Sequence, residues 1–183
     1  MIRLIAVLFS NFLLLWITSF VDEGLITEQE SKSLYQQMIL ISTLGSIIVA
    51  PLFGYISDKV SSAVLIPIAF TIRGACGYTF MFMNDPRSPF AITICCLLIL
   101  FTVLEAISIE VLLFRGMPSQ IRGTMMGAFS FFGMLGTLLF TLIGGQMFDR
   151  IGRNSPFVFL AIMDSFLVLL TLFMTCTGTF KSK

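Results

Sequence analysis

Long apolar segments separated by short polar connections run through the whole chain. Six of them are long enough to span a bilayer, and we place them at residues 2–21, 35–57, 62–82, 90–113, 124–147 and 156–177. Each has about 20 mostly apolar residues, the length that a hydrocarbon core of about 30 Å requires of a helix. Backbone groups in lipid must bond within their own segment, which favours helices. The pattern therefore predicts an all-α integral membrane protein with six transmembrane helices.

Two segment boundaries carry additional signals. The run from Thr27 to Glu30 reads T-x-x-E, a capping box, so the second helix is predicted to start before the bilayer and to run into it. Arg3 followed by an apolar run also resembles a signal peptide. The run is long, however, and the residues up to Ser19 form a poor cleavage site, which favours a retained helix over a cleaved signal.

Composition supports the membrane interpretation and limits the kinds of functional site that we expect in the chain. The chain is 57% hydrophobic and 11% charged with a mean hydropathy of +0.99, whereas a soluble domain is about 25% charged. No basic run suggests nucleic acid. The chain has no His, and its four Cys all lie in apolar segments, so we expect neither a metal site, nor a cofactor, nor a disulfide framework. No nucleophile–base set or phosphate loop appears, and we do not expect an enzyme with catalytic residues.

The basic residues are unevenly divided between the two sides of the predicted bundle. Six lie on one side and four on the other: Arg3, Lys59, Arg115, Arg122, Lys181 and Lys183 against Lys32, Arg87, Arg150 and Arg153. Lys and Arg are enriched in cytoplasmic loops. Both termini are therefore predicted to lie on the cytoplasmic side, or on the equivalent inner side of an organelle.

The chain contains an internal repeat. Two G-x-x-x-D-[K/R] loops, at residues 54–59 and 145–150, are 91 positions apart. The same shift superposes a whole row of small residues, with Ser42, Ser46, Ala50, Gly54 and Asp58 falling on Gly133, Thr137, Thr141, Gly145 and Asp149. Rows at i, i+4 and i+8 form one ridge of a helix, and small residues let another helix approach closely. Generic packing explains one ridge but not two ridges in register.

The repeat sets the predicted architecture. We divide the chain into repeat 1, about residues 1–91, and repeat 2, about residues 92–183, within a single six-helix bundle over 1–183. Because each copy has three helices, the second copy enters the membrane inverted, an arrangement widespread in secondary transporters. The shift also places Arg73 on Asp164, both deep in the membrane. A lone charge there is costly, so we hypothesise an intramembrane Arg73–Asp164 salt bridge, with either a structural role or a direct role in solute or proton movement.

These motifs resemble those of a known family. The stretch from Gly54 through Asp58 and Lys59 resembles the conserved loop motif of the major facilitator superfamily, and the sequence Pro118-Ser-Gln-Ile-Arg122-Gly123-Thr-Met-Met-Gly127 is similar to the opening of the eleventh helix in many members. The second copy of the loop motif comprises Gly145, Asp149, Arg150, Gly152 and Arg153. On this resemblance the chain is identified as the C-terminal six-helix half of such a transporter.

The resemblance implies a function and a partner. Such a half would move a small solute by alternating access, together with a second six-helix half, and the motif Asp and Lys or Arg would clamp neighbouring helix ends as gates. The first motif departs from the family because Ser61 and Ser62 stand where a glycine and a basic residue are expected. The alternative is a structural subunit of a larger membrane complex that is derived from a transporter half and does not transport.

Four further charged residues and one amide complete the candidate site. Glu105 lies well inside the fourth segment and could couple proton binding to substrate movement or make a structural hydrogen bond to a neighbouring helix. On the resemblance, the fourth segment corresponds to a helix that lines the transport cavity. Asn11 could face that cavity from the first segment, although a buried helix contact is the stronger interpretation. Glu110, Arg115 and Arg122 form a predicted charge network at the cytoplasmic end, with interfacial anchoring as the equal alternative.

Overall fold

The computed structural model describes residues 11–116, 118 and 120–177. Its helices are α1 (Leu13–Asp22), α2 (Glu28–Lys59), α3 (Ser62–Thr79), α4 (Pro89–Gly116), α5 (Arg122–Arg150) and α6 (Ser155–Cys176), and a short 3₁₀ turn over Phe80–Phe82 continues α3. The described residues include no strand. The predicted all-α fold class is confirmed.

The helices are those of a multi-pass integral membrane protein. Within the described residues, the five helices α2 to α6 are long and apolar enough to cross a membrane. Helix α1 has 10 described residues, and the predicted first segment continues into residues 1–10, outside the described part of the chain. Residues 178–183 also lie outside it. The sidedness of the termini therefore stays a prediction.

The start of α2 is fixed by local hydrogen bonds. The backbone N–H of Glu30 donates to Thr27 Oγ1 at 3.3 Å, and the backbone N–H of Thr27 donates to Glu30 Oε2 at 2.8 Å. This reciprocal pair is the predicted capping box, and it satisfies two backbone donors that a helix N-terminus otherwise leaves without partners. Helix α2 accordingly starts at Glu28, ahead of its apolar segment.

The two G-x-x-x-D-[K/R] motifs are helical, and their prediction as loops was wrong. Residues 54–59 form the last turns of α2 and residues 145–150 those of α5. The chain leaves each helix only after the basic residue, Lys59 or Arg150. A cation in the last turn interacts favourably with the helix dipole, which explains why both helices continue to this point.

Helix α3 lies at the centre of the bundle. It packs against α4 and α6, while α2 packs on α4, α1 on α2 and α5 on α6. An aromatic cluster fills the core at one end: the Phe80 and Phe157 rings are stacked with centroids 4.0 Å apart, and the Trp16 indole meets Phe80 edge-on at 5.3 Å. Under the 91-residue shift α3 corresponds to α6. The two helices that pack together at the centre are therefore the third helices of the two predicted repeats.

The close approach of α3 to α6 requires a glycine. A Cβ atom built on Gly77 would lie 2.9 Å from the Ala161 Cβ and 3.0 Å from the backbone carbonyl oxygen of Phe157. Small residues allow helices in lipid to gain packing contacts that larger residues would block. The two backbones therefore meet at a distance that brings side chains on α3 directly onto α6.

Helices α2 and α5 are the least covered elements of the bundle. Only 6% of the residues in the most apolar stretch of each helix are buried, against 50% in α3. Several of their glycines stand open, since a Cβ on Gly54, Gly127 or Gly145 would meet nothing within 4 Å, although Gly144 of α5 packs on the Phe12 ring. The two helices correspond to each other under the 91-residue shift, and both present apolar faces that lipid or another membrane protein must cover.

Candidate functional site

Three charged side chains from three helices meet inside the bundle. Arg73 of α3 donates from Nε to Asp164 Oδ2 of α6 at 2.7 Å, and a second bond joins Arg73 Nη2 to Asp164 Oδ1. Arg73 Nη1 donates to Glu105 Oε2 of α4. All three side chains have 0% exposure to solvent. We call these residues the charged triad.

Helix packing explains how α3 and α6 place their members of the triad. Both residues lie on the faces through which the helices touch, and a Cβ on Gly74, next to Arg73, would be 3.4 Å from the Asp164 Cβ. The Arg73 guanidinium also lies 5.0 Å from the Phe70 ring centroid, one turn earlier on α3. A planar guanidinium matches a carboxylate in a two-bond arrangement, so the Arg73–Asp164 contact is geometrically specific.

The charges in the triad do not balance. One guanidinium faces two carboxyl groups, so the triad carries a net charge of −1 when both acids are ionised. Arg73 stays protonated in proteins. A net charge that is enclosed by apolar helices is costly, and a bound proton or cation removes that cost. The arrangement is therefore suited to take up one positive charge.

One oxygen of the triad is available for that charge. Glu105 Oε1 is buried and has no hydrogen-bond partner among the described residues, whereas both oxygens of Asp164 accept from Arg73. Glu105, predicted to lie well inside the fourth segment, is fully enclosed in this conformation. Asn11, for which a buried helix contact was the stronger prediction, is exposed, so that prediction was wrong.

The acidic and basic residues of both gate motifs are exposed. Asp58, Lys59, Asp149 and Arg150 all lie at the surface of the chain, where an ion pair contributes little. The Lys59 ammonium lies 4.3 Å from the Tyr55 ring centroid, on its own helix. The gate role predicted for these residues remains an expectation that this conformation does not test.

The last two residues of the second motif connect α5 to α6. Gly152 has φ +142°, a conformation that L side chains rarely adopt, so a glycine is required at this turn. Arg153 Nη1 donates to Glu23 Oε1 at 2.7 Å, and its guanidinium lies 3.9 Å from the Phe20 ring centroid. The motif therefore ties the α5–α6 connection to the end of α1.

The predicted cytoplasmic charge network is only partly described. Glu110 is exposed on α4. Arg122 donates to the backbone carbonyl oxygen of Phe114 at 3.4 Å and lies 5.4 Å from that ring centroid. Arg115 belongs to α4, and its side chain is outside the described part of the structure. The cytoplasmic charge network therefore stays a prediction.

Sequence reasoning missed two contacts at the opposite end of the bundle. The Trp16 indole N–H donates to Asn154 Oδ1 at 2.7 Å, and Glu23 receives the Arg153 bond described above. A tryptophan within an apolar segment needs an acceptor for its N–H, which was the available signal. A cavity of about 370 Å³ lies beside these residues, lined by Met81, Met147, Ile151, Gly152, Arg153, Asn154, Ser155 and Val158. Among the described residues no group of His, Cys, Asp or Glu could hold a metal ion.

Fold and site together define a multi-pass, all-α membrane protein with an enclosed ionic site. A relative is magnetosome protein MamH of Paramagnetospirillum magneticum, which is 26% identical over 160 residues. The match covers 82% of this chain and 35% of MamH, so the chain spans about a third of that relative's length. No protein-family model matches the chain, and no solved structure matches it.

These comparisons overturn the identification of the chain as the C-terminal half of a major facilitator. That assignment was wrong because it depended on short motifs, whereas no family model matches the sequence they lie in. The motifs consist of small residues that allow close helix packing and of charges at a helix end, and membrane helices of many kinds combine these features. What stands is the distant similarity to MamH.

Proposed function

We propose that this chain is one part of a secondary transporter that moves a small solute by alternating access and uses the charged triad to couple movement to protons. The observation that carries the proposal is the enclosed group of one guanidinium and two carboxyl groups, from Arg73, Glu105 and Asp164. Ionisable groups inside a membrane are costly and often mark ion or proton pathways. A purely structural ion pair needs one carboxylate, and this site has two.

The second part of the proposal is a partner that covers α2 and α5. Both helices are largely uncovered, with small residues open along them. The chain corresponds to 35% of the distant relative MamH, which leaves room in such a protein for a further membrane unit. We therefore propose a second bundle, from the same or another polypeptide, against this face. Alternating access requires two units that move against each other around a site.

Glu105 is the proposed coupling residue. Its Oε1 lacks a partner among the described residues, and protonation there would neutralise the triad. Asp164 is the proposed fixed counter-charge of Arg73 because both of its oxygens are already bonded. No catalytic chemistry is proposed for the chain.

Vesicle uptake tests this proposal. Membrane vesicles that contain the chain and its co-purifying partners are given an inward proton gradient and a panel of labelled sugars, amino acids and carboxylic acids. We expect gradient-driven uptake of one solute class, and loss of that uptake in Glu105→Gln. Glu28→Gln is the matched control, since Glu28 is an exposed acid at the start of α2 and belongs to no proposed site. Uptake that is unaffected by Glu105→Gln would contradict the coupling role.

A non-transporting structural subunit is the second candidate, and one observation favours it. Ser61 caps α3 by accepting a hydrogen bond from the Ala63 backbone N–H at 3.3 Å, which gives the altered end of the first motif a local structural role. Vesicles that hold the folded chain in a stable complex and take up no member of the panel under any gradient would support this candidate instead.

A further inference from the structure

One pair of helices in the bundle is joined by three different kinds of contact. Helices α3 and α6 share both bonds between Arg73 and Asp164, and they share the close approach at Gly77. The stacked rings of Phe80 and Phe157, tilted by only 4°, continue the contact beyond the end of α3. Ionic, backbone and aromatic contacts therefore all connect α3 with α6, and we call these two helices the central pair.

Helix α4 is joined to the central pair by a different kind of contact. Apart from apolar packing, the described ionic link is the single bond between Glu105 Oε2 and Arg73 Nη1. On its other side, α4 packs on α2 through Ser57 and Ser108, whose hydroxyl oxygens are 3.4 Å apart. The Glu105–Arg73 bond is therefore the described ionic contact that relates the position of α4 to the central pair.

The strength of that bond depends on one proton. With Glu105 ionised, both partners of the bond carry charge, and their Coulomb attraction adds to the hydrogen bond. With Glu105 protonated, Arg73 is already neutralised by Asp164, and the attraction between α4 and α3 falls. The described charged groups around Glu105 are Arg73 from α3 and Asp164 from α6. From α2, the charged residues next to the Ser57 contact are Asp58 and Lys59, and both are exposed.

The geometry points to a proton-controlled attachment of α4, together with α2, to the central pair. A proton that binds to Glu105 Oε1 from bulk water removes the carboxylate charge, so a hydrogen bond from the Arg73 cation to a neutral carboxylic acid replaces the ion pair and α4 is freed to shift. Loss of the proton restores the ion pair and returns α4 to the position described here. This inference rests on the proposed coupling role of Glu105 and adds which helices move and which stay together.

Spin-label distances in the full chain test this directly. On a background with the four native cysteines replaced by alanine, one label pair at Thr93 and Leu169 reports α4 against α6, and a second at Val64 and Leu169 reports α3 against α6. All three sites are exposed. Between about pH 8 and pH 5 we expect the first distance to shift by about 2 Å or more, the scale of helix shifts in switching proteins, and the second to stay constant.

Variants decide whether Glu105 is responsible. Glu105→Gln keeps a hydrogen-bond acceptor but no charge, so the first distance should stay at its acidic value at every pH. Glu28→Gln, at an exposed acid outside the site, should show the same pH-dependent shift as the unmodified chain. A pH-independent first distance in the unmodified chain would overturn the inference, as would an equal shift of both pairs. Proton-driven uptake without any shift would remove only this inference, whereas a shift without uptake would remove only the transport proposal.

Discussion

Removal of the guanidinium from the charged triad is the most severe test of the site. Arg73→Met keeps most of the length of the side chain but deletes three hydrogen bonds, two to Asp164 and one to Glu105. Two carboxyl groups are then enclosed with no counter-charge from the described side chains. Breaking a buried ion pair by removing one partner costs about 3–5 kcal/mol, chiefly because the remaining charge has lost its compensation.

Thermal unfolding in detergent measures that loss. For a chain of 150–250 residues, 1 kcal/mol corresponds to a Tm shift of roughly 2–4 °C, so the variant should unfold about 6–20 °C below the unmodified chain. The loss should be larger at alkaline pH, because at acidic pH both acids can take up protons and relieve their repulsion. A loss of Tm that grows with pH indicates a lost charge, because the loss of a packing contact would not depend on pH.

Two control variants make the result interpretable. Arg87→Met removes the same kind of side chain from an exposed pair with Glu30 and should cost less than about 1 kcal/mol. Glu105→Gln removes the excess negative charge and keeps an acceptor for Arg73, so it should unfold at or above the Tm of the unmodified chain. If Arg73→Met were as stable as Arg87→Met at alkaline pH, Arg73 would not be compensating buried carboxylate charge, and this account of the triad would be refuted.

Three further predictions concern the packing around the site. Gly77→Leu should destabilise the chain by about 1–3 kcal/mol in thermal unfolding, because its side chain would overlap α6, while Gly136→Leu, which has open space, should not. Asn154→Leu should change the emission of Trp16, the single tryptophan of the chain, because its indole N–H loses its acceptor, whereas an unchanged spectrum would argue against that bond. Thr27→Ala should cost about 1 kcal/mol and speed hydrogen exchange in the first turn of α2, with later turns unaffected.

The apolar pattern was sufficient to predict most of the fold. Segment length and hydropathy located α3 to α6 to within a few residues. Helix α2 begins earlier than its apolar segment, because the capping box at Thr27 extends it. The reason is physical: a bilayer demands about 20 apolar residues in helical form, and few other signals compete. Residues 54–59 and 145–150 were wrongly predicted to be loops, because glycine is compatible both with a turn and with the end of a membrane helix.

The site was harder to predict than the fold. The 91-residue shift related Arg73 to Asp164, and the structure brings the two side chains together, because α3 and α6 pack at equivalent depths. The shift could not place Glu105 with them. Helix α4 is apolar on all sides, so no periodic pattern indicates which of its faces meets α3. The rotation of α4 is set by packing, and only the structure shows that its acid joins the pair.

The unequal charges of the triad bear on why such a site would persist. If the bundle needed only a link between α3 and α6, Arg73 and Asp164 would supply it, and an apolar residue at position 105 would avoid a second buried acid. On the proposed coupling role, we expect an amide side chain at position 105 to leave the folded state at least as stable at high pH, because it removes one buried acid. The Oε1 atom of Glu105, which has no hydrogen-bond partner among the described residues, is the proposed site of proton binding.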